Sequence, residues 1–250
     1  MTIRIAMWSG PRNLSTAMMR AFENRADCAV SDEPFYAAYL AETGLDHPMR
    51  AEVLVSQPTD WREVATALVG PAPDDASLWY QKHMTHHMLP GFGREWIGQC
   101  RNAFLIRHPA AVLASYVAKR ETVALEDIGV VQQAELFERE ADRLGHAPPV
   151  IDAADVLADP AGTLGALCAA LGIAFDPAML NWPAGHRASD GVWAPAWYAA
   201  VEASTGFAAP ASEQDLPELP EHLSAIAAIA ENTYRRLAEH RLCGEEAGRE

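Results

Sequence analysis

Ile5-Ala-Met-Trp-Ser-Gly-Pro-Arg-Asn-Leu-Ser-Thr-Ala-Met-Met19 is the stretch that decides the fold. An apolar strand runs into a Ser-Gly-Pro-Arg turn and then opens a helix, whose first backbone N–H groups have no partners inside the helix. Around them the sequence sets the Ser9-Gly10 turn, the guanidinium of Arg12, and the side chains of Asn13, Ser15 and Thr16. That combination makes a seat for a phosphate-like anion. The Lys and Gly of the NTP-binding loop G-x-x-x-x-G-K-[ST] are both missing, so a magnesium-bound triphosphate is not its natural occupant.

Working outward, the chain is 250 residues long and 50% hydrophobic, enough for a substantial core, and we read residues 1–250 as one α/β domain with helical additions. The formal charge of −15, from 34 acidic against 19 basic residues, argues against a broad basic surface for DNA, RNA or sulfated polysaccharide. An anionic ligand must therefore be held locally. Cys28, Cys100, Cys168 and Cys243 are widely spaced with no C-x-x-C pair, the pattern of reduced thiols rather than a disulfide frame or a zinc knot. With no basic leader ahead of a long apolar stretch and no run of membrane-spanning length, we expect a cytoplasmic protein that neither enters nor crosses a membrane.

Residues 2–8 read as a buried strand and 14–24 as a helix with Leu14, Met18, Ala21 and Phe22 at helical spacing. A second strand, 28–31, ends in Asp32-Glu33-Pro34 and leads into a helix over 35–42, with Pro34 suited to a first turn. Further strands are expected at 78–82, 103–106 and 150–152, and helices at 60–69, 109–119, 125–144, 161–171 and 220–242. Gly172 stops the fifth of these strand-and-helix units, where a left-handed residue is required. Residues 181–206, rich in Trp, Gly and Pro, read as a loop. Strands interleaved with helices imply a mainly parallel sheet, and in such sheets ligands bind beyond the carboxyl ends of the strands. Three strand ends carry chemistry here: residues 9–16, Asp32-Glu33, and Arg107.

Arg107 leaves its strand in Phe104-Leu-Ile-Arg-His-Pro-Ala-Ala-Val-Leu-Ala-Ser-Tyr116, and Ser115 follows two helical turns later. A planar guanidinium fork and a neutral hydroxyl suit a second phosphate, although a strand-end Arg taken alone is equally a surface ion-pair residue.

Together the two segments resemble those of the sulfotransferase family. In that family the first loop cradles the 5′-phosphosulfate of 3′-phosphoadenosine 5′-phosphosulfate (PAPS), and a strand-Arg-x-Pro-helix-Ser segment holds its 3′-phosphate. Arg107 and Ser115 match in type and separation, and Arg12 falls where the family carries Lys or Arg. The stretch Gly185-His-Arg-Ala-Ser-Asp-Gly-Val-Trp-Ala-Pro-Ala-Trp-Tyr198 resembles the family's late cofactor loop, which implies that Arg187 closes on the 3′-phosphate and that Gly191 lies near the nucleotide. Residues 150–172 are similar to the family's strand, acidic turn and Pro-led helix. The sequence departs at Leu14, where the family has Gly, so the turn is expected to differ or bulge there. The resemblance implies a P-loop-type three-layer α/β/α fold.

Sulfuryl transfer needs a base for the acceptor and donors for the bridging oxygen, and requires no metal inherently; the base adds roughly 10²–10⁴-fold. Two bases are open. Glu33, at the end of the second strand, resembles the carboxylate base of some bacterial members, provided its strand neighbours the first loop; ahead of Phe35 it equally suits a helix-start carboxylate. His83, in Tyr80-Gln-Lys-His-Met-Thr-His-His-Met-Leu-Pro90, resembles the catalytic His of the cytosolic enzymes, with Lys82 a partner for the bridging oxygen. His83, His86 and His87 lack a nearby acidic or Cys ligand to finish a metal site, and solvated or capped roles are their ordinary reading. Phe35, Tyr36, Tyr39, Trp182 and Trp193 either line an acceptor wall or fill the core, and Trp193 and Trp197 read as packing residues. The expectation is a PAPS-dependent sulfotransferase acting on a small-molecule acceptor, with segments 35–46, 83–92 and 182–207 over the acceptor pocket. A non-catalytic sensor of 3′,5′-bisphosphate nucleotides and a P-loop small-molecule kinase are the rival readings; the kinase lacks the loop Lys that contacts a γ-phosphate.

Overall fold

The computed structural model describes residues 2–118, 123–209 and 216–242. Its five strands are all parallel: β1 (Ile3–Ser9), β2 (Cys28–Asp32), β3 (Leu78–Met84), β4 (Arg101–Ile106) and β5 (Val150–Asp152) stand in the order β2-β3-β1-β4-β5. Side chains alternate across each strand, and both faces are apolar. Ile5, Met7, Ala103 and Leu105 pack on one face, Ala6, Trp8, Phe104 and Ile106 on the other.

Helices cover both faces and make three layers. Met18, Met19 and Phe22 of α1 (Ser15–Glu23) meet the first face after the connection from β1. Helices α2 (Tyr36–Thr43), largely buried, and α3 (Arg50–Ser56) precede α4 (Trp61–Val69), whose Val64 and Leu68 pack on the second face. After β4 come α5 (Pro109–Val117), α6 (Leu125–Ile128) and α7 (Val130–Leu144), the last burying Leu136 and Phe137 on the second face. Val156 of α8 (Ala153–Ala158) and Leu164 and Leu167 of α9 (Pro160–Ala170) return to the first face. The short α10 (Ala194–Trp197) and α11 (Ala199–Glu202) lead to α12 (Ser224–Ala238), which sets Leu237 on the second.

Strand positions agree with the sequence reading to within two residues at each end, and Gly172 has φ 62° as its stop role requires. Lys119, the expected end of α5, and Cys243 lie outside the described residues. The expected helix over 125–144 is two helices, broken at Gly129, which has φ 66°. A Cβ there would lie 2.5 Å from Thr85 Oγ1 and 2.7 Å from His86 N, so the chain after β3 presses directly on the break. Thr85 Oγ1 pins it by donating to the Gly129 carbonyl at 2.8 Å. Gly10 is equally tight, since a Cβ would stand 2.6 Å from the Ile128 carbonyl oxygen. The stretch 181–206 is largely loop, with α10 and α11 as single turns and a bridge between Asn181 and Gly206. Among the described residues no helix is long and apolar enough to cross a membrane.

Candidate active site

The carboxyl ends of β1, β2, β3 and β4 open on one cavity of about 320 Å³, lined by residues that include Arg12, Asn13, Ser15, Thr16, Glu33 and Lys82. Its floor is the loop between β1 and α1. Leu14 takes φ 58° and ψ 1°, the left-handed conformation that glycine favours. The turn expected to differ at this position is instead accommodated by the Leu backbone itself, and Arg12 is left-handed too, with φ 58°. Such residues persist where their surroundings hold them. Here Asn13 Nδ2 donates to the Leu105 carbonyl at 2.7 Å, and Met18 N donates to the Leu14 carbonyl at 3.1 Å. Helix α1 begins with no side-chain cap and no acidic residue in its first turn. Its leading N–H groups are thus left for an anion.

Arg107 and Ser115 come to the same place. Arg107 Nη1 donates to the Arg12 carbonyl at 2.6 Å, and Arg12 Nε donates to Ser115 Oγ at 2.9 Å. The two cationic seats that the sequence reading kept apart are therefore joined, as the pairing of β1 with β4 requires. Ser115 is bonded to Arg12 and not to Arg107. Neither guanidinium has a carboxylate within ion-pair distance among the described residues, although the chain carries 34 acidic groups. Burial lowers the pKa of both, and for Arg107 the charge of Arg12 adds to the effect. A bound anion would relieve that cost.

Farther along the same edge, Lys82 is buried and its Nζ donates to Asp32 Oδ1 at 2.8 Å, Glu33 Oε1 at 2.7 Å and Tyr198 OH at 2.6 Å. Tyr198 OH donates to Asp32 Oδ2 at 2.7 Å and accepts from Trp193 Nε1 at 3.0 Å. The hydroxyl has no unused hydrogen. Burial pushes the Glu33 carboxyl above its ordinary 4.5 against the pull of Lys82, and the neighbouring Asp32 charge pushes the same way. Lys82 is held above its ordinary 10.5, burial being outweighed by the two carboxylates. Glu33 has φ 41°, and its N–H donates to the Lys82 carbonyl at 3.0 Å, which extends the β2–β3 ladder by one residue. Since β3 stands between β2 and β1, Glu33 is not the immediate neighbour of the first loop. It faces the cavity across Lys82.

His83 is elsewhere. It is 2% exposed, stacks on Trp8 with ring centroids 4.5 Å apart, and lies near Trp96 and Phe35 in the core of the second face. Burial depresses its pKa to about 3. The reason is the period of two: consecutive residues of β3 point to opposite faces, so Lys82 and Met84 line the cavity while His83 cannot. The imidazoles that do line it are His47, His86 and His87. Sequence reading left the latter two solvated or capped, yet both are buried. Of the aromatic candidates Tyr36 reaches the cavity, Trp193 is core as expected, and Trp197 lines the wall together with Tyr198.

A family model described as a sulfotransferase domain matches residues 3–234. The chain belongs to the sulfotransferase-domain family. Two Arabidopsis thaliana relatives, branched-chain-amino-acid aminotransferase-like proteins 1 and 2, are 37% and 35% identical to it over 206 residues, 82% of this chain. The chain spans only 37% and 36% of their lengths, and the activity in their names is theirs. Among solved structures, the sulfotransferase domain from the Synechococcus PCC 7002 olefin synthase superposes with TM-score 0.55 at 18% identity, covering 94% of this chain and 95% of that one. The sulfotransferase domain from the curacin biosynthetic pathway gives 0.53 at 15% identity over 93% and 97%. A sulfotransferase from Alicyclobacillus acidocaldarius gives 0.52 at 12% identity over 97% and 98%. These three share the fold.

Some of the expected site residues, Ser9 and Gly10 from the anion seat and Arg187 and Gly191 from the family resemblance, lie off the cavity. Ser9 is fully buried in β1, and Gly10 lies behind the loop against α6. Arg187 sits by Glu23 of α1, Nη1 to Oε2 3.8 Å, and does not line the cavity. Gly191 N donates to Asp32 Oδ2 at 3.0 Å, so that glycine braces the carboxylate cluster. His186, Asp190 and Glu202 bring possible metal-ligand atoms within 4.8 Å of one another, but Asp190 already accepts from Arg20 at 2.7 Å and none of the three lines the cavity.

Proposed function

We propose that this sulfotransferase-domain chain is a PAPS-dependent enzyme that moves the sulfuryl group to a hydroxyl or amine of a small-molecule acceptor. The observation that carries the reading is the linked pair Arg12 and Arg107, without carboxylate partners among the described residues, at the uncapped start of α1. Phosphates on the 3′ and 5′ oxygens of one ribose are separated by the sugar, and Arg12 and Arg107, carried by the neighbouring β1–α1 and β4–α5 connections, offer one cation to each. Along the strand edge the order is Arg107, Arg12, Lys82, Glu33, following β4-β1-β3-β2. At about 4.8 Å per strand the outer two are separated by about 14 Å, room for a nucleotide with an acceptor beside it.

When bound, PAPS supplies a sulfuryl group on a phosphate leaving group. Arg107 would hold the 3′-phosphate, while Arg12, Ser15, Thr16 and the α1 N–H groups hold the 5′-phosphosulfate and receive charge as it develops. Glu33 takes the proton of the acceptor while the acceptor atom bonds to sulfur and the sulfur–oxygen bond to the phosphate breaks, the electron pair leaving with the phosphate. Burial and the Asp32 charge raise its pKa, which makes it a stronger base than an ordinary carboxylate. Proton uptake neutralises Glu33, removes one of the two carboxylates holding Lys82, and frees that ammonium to face the bridging oxygen.

The test is transfer of label from ³⁵S-PAPS to a pool of small alcohols and amines. Incorporation that is lost in Glu33→Gln supports the assignment. Incorporation unchanged in that variant removes Glu33 from the reaction, and label that never leaves PAPS in the wild-type chain overturns the enzyme reading.

A further inference from the structure

The cavity is divided by charge. At the β1–β4 side stand two guanidiniums with no carboxylate partner among the described residues. At the β2–β3 side two carboxylates, Asp32 and Glu33, face one ammonium, Lys82, with side-chain exposures of 2%, 12% and 1%. The formal charge at this second end is −1, and the side chains that carry it are shielded from bulk solvent.

The wall beyond that cluster is imidazole and phenol. His87 is 2% exposed, its ring stacked against Tyr36 at 4.7 Å and Tyr39 at 4.8 Å, and it lines the cavity with Nδ1 lacking a hydrogen-bond partner. Burial holds its pKa well below the ordinary 6.5, so it is neutral and its two ring nitrogens are one donor and one acceptor. A buried polar atom without a partner is costly and calls for one from a ligand. The neighbouring His47 has Nδ1 2.9 Å from Tyr36 OH, which helps fix the stacked Tyr36.

We infer that this end selects acceptors that are neutral or cationic, small alcohols, diols and amino alcohols, with a polar group at the His87 imidazole and the reacting hydroxyl or amine toward Glu33, and that it rejects hydroxy acids. The inference rests on the PAPS reading for the occupancy of the cationic end, which fills the guanidinium pair that an anionic acceptor would otherwise meet. A carboxylate in the remaining space meets a net negative cluster within a few ångströms, and at the effective dielectric of a protein site that separates binding by about ten-fold or more.

The experiment is calorimetric titration of the full chain with three probes of matched size: 3-aminopropan-1-ol, propane-1,3-diol and 3-hydroxypropanoate. Each is run with and without saturating adenosine 3′,5′-bisphosphate. The expected order is amino alcohol, then diol, with the hydroxy acid about ten-fold or more weaker than the amino alcohol in the presence of nucleotide. His87→Phe, which keeps the stacked ring, should weaken the first two by about ten-fold while the bisphosphate affinity stays within a few-fold. Hydroxy acid binding equal to or tighter than the amino alcohol overturns the inference, as do failure of all three to bind and an unchanged His87→Phe. A chain that ignores the bisphosphate but keeps the probe order loses the donor assignment and retains the charge selection; one that binds the bisphosphate and reverses the order does the opposite.

Discussion

Lys82 is the residue on which the site turns. Its ammonium holds two buried carboxylates and a phenol, and removing one partner from a buried ion pair costs about 3–5 kcal/mol because the other charges stay behind. Lys82→Met should therefore destabilise the fold by about that much in urea titration, and adding Asp32→Asn should restore part of the loss; a single variant as stable as wild type contradicts the network. Glu33→Gln should lower turnover by about 10²–10⁴-fold with bisphosphate affinity within a few-fold, as read by kinetics and calorimetry together. Residues delivered by strand ends were legible in the sequence, and Arg12, Arg107, Ser115 and Glu33 do meet at one cavity. Lys82 and His83 could have been separated on paper, because neighbours in a strand face opposite ways. Tyr198 and His47 could not. They arrive from segments without periodicity, and only the folded chain sets Tyr198 on Lys82 and His47 against Tyr36.

At the scale of elements, the strands and the helices on them followed from alternation and helical spacing, whereas the break in residues 125–144 was hidden by continuous amphipathic character on both sides of Gly129. Its signal was the glycine itself. Gly129→Ala meets a left-handed backbone and contacts of 2.5 and 2.7 Å with Thr85 Oγ1 and His86 N, so it should destabilise the chain by about 2 kcal/mol or more. The same change should loosen the segment carrying His86 and His87, measured as faster amide hydrogen exchange over residues 85–88. A neutral effect on both would mean that α6 and α7 can rejoin as one helix without cost. Leu14 likewise made the first turn hard to read, since propensity disfavours a left-handed Leu and only the surrounding contacts hold it there.

For the whole molecule, a charge of −15 coexists with a cationic seat because the two arginines are half-buried and local, not part of a basic face. Acid sensitivity has a source in the core. His83 stays neutral in the fold down to about pH 3, while the unfolded chain takes up its proton below 6.5. Stability at this position is present above pH 6.5 and lost as pH falls, with a slope of about 1.4 kcal/mol per pH unit between those limits. His83→Phe should flatten the fall in unfolding free energy between pH 6.5 and 5; an unchanged slope would show that His83 is protonated inside the fold.

The central claim is that Arg12 and Arg107 together hold the two phosphates of one ribose, and thermal unfolding with three nucleotides tests it most directly. Adenosine 3′,5′-bisphosphate, at one hundred times its dissociation constant, should stabilise the chain by about 2.7 kcal/mol, more than ADP or magnesium ATP at equal concentration, and Arg107→Ala should abolish the difference. Preference for magnesium ATP, or a bisphosphate preference that survives Arg107→Ala, would contradict it.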